Sequence, residues 1–132
     1  MLGCILSFFR RKPIRLAGMP RQPREKTYQA ESGRIFRYYY LGHSEETYGA
    51  RYWFEISSGE GGFRPAAVRV RQSELAPWQN RHGRELSPVE RYAIAKLGLH
   101  AALDRLSGSP LFLQVTVSAA EVEEILEKLG ID

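Results

Sequence analysis

In three successive apolar runs, one parity is aromatic or aliphatic through the middle of the run while the other is interrupted by arginine, and this constrains the fold more than any other feature. The runs are RIFRYYYL (34–41), RYWFEIS (51–57) and FRPAAVRVR (63–71); a fourth, LFLQVTV (111–117), alternates without arginine. Side chains on a strand alternate between the two faces of a sheet. One choice of face gives a continuous apolar surface of Phe36, Tyr38, Tyr40, Tyr52, Phe54, Ile56, Val68, Val70, Leu113 and Val115. A slip of one residue would bury Arg37, Arg51, Arg69 and Arg71 instead, at several kcal/mol for each unpaired charge. The apolar set is therefore assigned to the core.

The polar, glycine-bounded GHSEETYG (42–49) reads as a loop and SGEGG (58–62) as a tight turn. The first three strands then form an antiparallel meander. Ser87, Pro88 and Glu90 spell a helix start with a capping box, and so do Ser118 and Glu121. The first helix is expected to run to about Leu106, with Tyr92, Ala95, Leu99, Ala102, Leu103 and Leu106 on one stripe. The second covers 119–129, with Val122, Ile125, Leu126 and Leu129. The long connection QSELAPWQNRHGREL (72–86) is expected to hold at most one helical turn. The resulting fold class is α+β, a two-layer sandwich. A mostly antiparallel four-stranded sheet, in chain order β-β-β-α-β-α, carries two helices on one face.

Residues 1–31 read as a basic irregular N-terminal arm and 32–132 as a single α+β domain. Arg10, Arg11, Lys12, Arg15, Arg21, Arg24 and Lys26 oppose only Glu25 in the first 30 residues, a net charge of +6 against −2 for the rest. Such an arm can attract phosphates or simply be solvated. A start at Met19 would remove Arg10, Arg11, Lys12 and Arg15 and bring the whole chain from +4 to zero. The opening MLGCILSFFRRK places its charges after its apolar stretch, the reverse of a secretory signal, and no run is long enough to span a bilayer. An interfacial anchor is the one membrane role left open. The expected location is the cytoplasm.

The chain lacks the usual signatures of chemistry. A single cysteine, Cys4, cannot form an internal disulfide or a cysteine-rich zinc site. His43, His82 and His100 stand apart without metal-ligand spacing, and there is no phosphate loop or nucleophile elbow. No cofactor is expected. AIAKLGLHAALDRLSG (93–108) superficially resembles a helix-turn-helix, but Ile94 stands where a small residue is required and Asp104 where an aliphatic is required. A continuous amphipathic helix explains the stretch better.

What remains is a pattern of recognition residues. With the apolar face inward, Arg37, Tyr39, Trp53, Arg69 and Arg71 fall on an open sheet face. Trp78, Arg81, His82 and Arg84 cluster in the long connection. Tyrosine, tryptophan and arginine dominate interface hot spots. The expected function is a small non-enzymatic binding protein whose partner is a protein or protein–nucleic-acid complex. A homodimer is compatible with it. The arginine excess over lysine, 15 to 4, matches a GC-rich bacterial or bacteriophage coding bias and suggests an accessory or modulator protein. The alternative is direct nucleic-acid binding, with the arm on phosphates and the arginine–aromatic face stacking bases. An enzyme assembled around His82, Arg84 and Glu85 is a third reading.

Overall fold

The computed structural model describes residues 16–59 and 61–132. Within them the chain folds as α+β, with a five-stranded sheet and three helices in place of the four and two expected. In chain order the elements are β1 (Lys26–Gln29), β2 (Ile35–Glu46), β3 (Gly49–Ser57), β4 (Arg64–Arg71), α1 (Gln72–His82), α2 (Pro88–Arg105), β5 (Leu113–Thr116) and α3 (Ala119–Leu129). The strands lie in sequence order across the sheet. β1 to β4 are antiparallel, and β5 joins β4 in parallel after the two-helix crossover.

The expected parity is the observed one. Phe36, Tyr38, Tyr52, Phe54, Ile56, Val68 and Val70 are buried in one cluster with Leu75 and Trp78 of α1, Ile94, Leu99 and Leu103 of α2, and Val122, Ile125 and Leu126 of α3. Tyr40, Leu113 and Val115 pack against it, half-buried. All three helices thus cover the same face. Both capping boxes form: Ser87 Oγ accepts from the Glu90 amide and Ser118 Oγ from the Glu121 amide, each at 3.2 Å. The 93–108 stretch is a continuous helix up to Arg105, with Gly98 inside it. Asp104, the charge that spoils the helix-turn-helix match, accepts the Tyr28 hydroxyl proton between its two carboxylate oxygens (2.8 and 2.9 Å) and a bond from the Glu31 amide.

Four expectations about the elements are corrected. First, the arm is not wholly irregular. Residues 26–29 form β1 on the edge of β2, and Ala17 makes an isolated bridge to His43. Second, most of 42–49 is not loop. β2 runs to Glu46 and pairs through to Gly49, with only Thr47 and Tyr48 in the turn. Third, the long connection holds an 11-residue helix, α1, although Pro77 sits inside it and removes one backbone donor. Burial of Leu75 and Trp78 offsets that loss. Fourth, β5 is shorter than the expected 111–117 and spans only Leu113–Thr116, with Leu111 exposed ahead of it.

β2 contains a bulge. Tyr40 pairs with Phe54, but Gly42 pairs with Trp53, so Leu41 is an extra residue. Gly42 takes φ 129° there, and a Cβ would come within 2.8 Å of the Ala17 carbonyl oxygen.

Two outcomes follow from this packing. Gly98→Ala should destabilise the protein, although alanine favours helices by about 1 kcal/mol over glycine. Its Cβ would lie 2.7 Å from Val117 Cγ2, on a fully buried and rotationally stiff side chain. Overpacking of this kind costs about 1–3 kcal/mol. Chemical denaturation should show the loss, and Val117→Ala should relieve part of it in the double variant. The second outcome concerns His100, which stacks on Tyr28 at 4.0 Å with Nε2 3.0 Å from the Tyr38 hydroxyl. Burial holds its pKa down to about 4 from 6.5, Lys96 adds to the effect and Asp104 opposes it. The unfolded chain therefore binds a proton at higher pH than the native one. Stability is full above about pH 6.5 and falls by up to about 3 kcal/mol toward pH 4. The melting temperature of His100→Gln should lack that part of the acid-side slope.

Candidate functional site

The second sheet face is closed at its centre, which corrects the expectation of an open face. Trp53 has 0% of its surface exposed, and it is clustered with Leu41 and Ala67 and flanked by Leu16, Tyr39 and Phe112. Its indole lies parallel to Phe112 at 6.0 Å and donates to Ser44 Oγ at 3.1 Å. Glu55, also on this face, is 0% exposed, and its carboxylate has no hydrogen-bond partner among the described residues. Burial pushes its pKa up, toward the neutral form.

Around that closed centre the charges pair off. Glu46 bridges Arg51 and Arg69 at 3.1 Å each. Arg37 lies 3.6 Å from Glu25 and over the Phe63 ring, while Tyr39 donates to Glu25 at 3.3 Å. The sequence-derived site residues therefore do not form one surface. Trp78 sits on the opposite, helix-covered side of the sheet and is buried in the main core. His82 stacks on it at 3.9 Å, and its Nδ1 is 2.9 Å from the Trp78 carbonyl oxygen. Arg81 pairs with Glu123. Arg84 is a clamp: it donates to both Glu90 oxygens (2.9 and 3.0 Å) and to the Asp132 backbone oxygen, and it lies over Trp78. Its hydrogen bonds hold the Glu90 carboxyl down at about 2. Of the arm's basic residues, Arg10, Arg11, Lys12 and Arg15 lie outside the described residues, while Arg21, Arg24 and Lys26 are exposed.

Two concavities meet at the end of the sheet, on either side of the β2–β3 turn, and they share Gly49 and Gln72. The first, about 470 Å³, is lined by Tyr40, His43, Glu45 and Tyr52 from the sheet and by Val89, Arg91 and Tyr92 from the start of α2, with Ala50, Val70 and Leu75 among its apolar walls. The second, about 520 Å³, is lined by Glu46, Tyr48, Arg69, Arg71 and Ser73. Only Arg69 and Arg71 of the expected partner-binding residues reach these walls.

The bulge builds the first cleft. In an unbroken strand Tyr40 and His43 would face opposite sides. The extra residue returns His43 and Glu45 to the face of Tyr40, opposite Tyr52 and Ala50. His43 Nδ1 then lies 3.4 Å from the Tyr40 hydroxyl, and Nε2 lies 3.4 Å from Glu45 Oε1. The Tyr40 and Tyr92 rings meet at 4.6 Å. Burial raises the pKa of Tyr40, Tyr52 and Tyr92, opposed at Tyr52 by the adjacent Arg91 guanidinium. All three are neutral phenols at physiological pH. The cleft thus offers hydroxyl donors, one guanidinium and apolar walls. One sequence signal pointed to it: an isolated glycine in a strand pattern, Gly42, is a mark of a bulge. The contribution of Arg91 and Tyr92 from a distant helix left no local signal.

Among the described residues no cluster of three or more histidine, cysteine, aspartate or glutamate side chains could hold a metal ion. No described helix is long and apolar enough to cross a membrane. No protein-family model, curated protein or solved structure matches this chain.

Proposed function

We propose that this chain is a small non-enzymatic binding protein that docks a protein, or a protein–nucleic-acid complex, at the end of the sheet around the β2–β3 turn. The observation that carries this reading is the Tyr48 side chain, 77% exposed at the turn between the two concavities. An aromatic ring held in water has no role in this core, whereas tyrosine is an efficient interface anchor. Met19 and Val89 are also exposed, and each adjoins or lines the first cleft. Arg71 is exposed on the wall of the second and has no carboxylate partner among the described residues. Exposed aromatic and aliphatic groups beside an uncommitted guanidinium make a suitable hot-spot cluster. An accessory or modulator role in a bacterial or bacteriophage setting is consistent with the arginine-rich composition.

Direct nucleic-acid binding is the second reading, favoured by Arg69 and Arg71 beside Tyr48 and by the basic residues of the arm. It relies less on base stacking than expected, because Trp53 is enclosed. Salt separates the two readings. Binding through several phosphates weakens steeply with ionic strength, whereas an interface anchored by a desolvated tyrosine depends on it much less.

Tyr48→Ala combined with Arg71→Ala should leave the melting temperature near that of the parent, since both side chains are exposed. It should weaken the partner complex by about 2 kcal/mol or more, roughly thirtyfold. Lys128→Ala, on the exposed end of α3, should leave the complex intact. Calorimetry on the partner isolated from the source cell measures both. Equal affinity of the double variant and the parent would place docking elsewhere. Tight binding of labelled oligonucleotides, lost on raising salt, would favour the second reading.

A further inference from the structure

We infer that the Tyr40–Arg91 cleft is a binding site for a carboxylate carried on a small apolar or aromatic body. Its volume of about 470 Å³ lies in the range of small-ligand sites. The walls divide the ligand into two parts. Ala50, Val70, Leu75 and Val89 offer apolar surface, and the rings of Tyr40, Tyr52 and Tyr92 offer aromatic faces. Two kinds of polar group there suit an anion, the Arg91 guanidinium and the phenol hydroxyls. Arg91 is half-buried, beside the Tyr52 hydroxyl, and has no carboxylate partner among the described residues. Its planar fork matches a carboxylate bidentately. The three phenols are neutral donors, since burial opposes their ionisation.

The charge count selects a monoanion. Glu45 lines the same cleft, and its carboxylate lies 3.4 Å from His43. One guanidinium against one nearby carboxylate leaves little field for a doubly charged phosphate, whereas a single carboxylate needs only Arg91 and one or two hydroxyls. The carboxylate can come from a free acid or from the C-terminus of a peptide, which present the same group.

The test titrates the full ¹⁵N-labelled chain with 3-phenylpropionate and with its primary amide, and with an acetylated trialanyl-phenylalanine peptide and its C-terminal amide. The acid is expected to shift the backbone signals of Gly49, Ala50, Gln72 and Val89 to saturation, with the amide about tenfold weaker or worse, as a charge-assisted bond implies. Arg91→Gln should weaken the acid by a similar factor. Val89→Glu, at a rim position 77% exposed and so tolerant of change, should also weaken it by placing a negative charge at the mouth. Response to phenylpropionate alone assigns the cleft to free acids; response to the peptide as well assigns it to chain termini. Equal binding of acid and amide, binding indifferent to both substitutions, or no response to either carboxylate up to its solubility limit would overturn the inference. Partner capture through Tyr48 and Arg71 is a separate readout, so the two proposals fail independently.

Discussion

One extra residue in β2 sets the chemistry of both sheet faces. Beyond the bulge, His43 and Glu45 share the face of Tyr40 and Tyr52, while Ser44 and Glu46 share the face of Trp53. On the first side the result is the phenol–imidazole–carboxylate row of the cleft. On the second, Ser44 accepts the indole N–H and Glu46 joins Arg51 and Arg69. Every one of these contacts needs the same change of register. Gly42 permits it, because a side chain there would strike the Ala17 carbonyl that pairs with His43. The bulge therefore links the N-terminal segment, both faces of the sheet and the site.

Closure of the second face removes the flat of the sheet as a platform, which is why docking is proposed at its end. An arginine–aromatic platform needs its rings and cations at the surface. Here Trp53 is enclosed, and Arg37, Arg51 and Arg69 are each within ion-pair distance of a glutamate. Glu55 carries the cost of that closure. An ionised carboxylate buried with no hydrogen-bond partner among the described residues costs several kcal/mol, and its raised pKa is the response. The β2–β3 turn has the opposite character. Tyr48 and Arg71 remain in water there, beside two concavities that the packing of β2, β3 and α2 leaves open.

Much of the fold was legible because the signals were local or periodic. The continuous apolar alternation placed Phe36, Phe54 and Val68 inward, and the two capping boxes placed the starts of α2 and α3. The parts that were not legible depended on tertiary contacts. Pro77 reads as a break, yet Leu75 and Trp78 hold α1 together from the core side. β1 is four residues long and is tied down by Tyr28 reaching Asp104, a contact 76 residues away in sequence. Trp53 sat among charged neighbours and so looked solvated. Long arginine side chains can cover an apolar centre while their heads reach the rim. Arg84 looked like a recognition residue because its partners Glu90 and Asp132 come from elsewhere in the chain. The cleft combines β2, β3 and α2, so no window of sequence contained it.

The proposal of docking at the sheet end rests on the enclosure of Trp53, and tryptophan fluorescence tests that enclosure directly. In Trp78→Phe, Trp53 is the only indole left. The expected emission is blue-shifted and resists quenching by iodide until the chain is unfolded in denaturant. Red-shifted emission from the native protein, quenched by iodide as readily as free tryptophan, would mean that the second face is open, and the case for the sheet end as the docking surface would be lost.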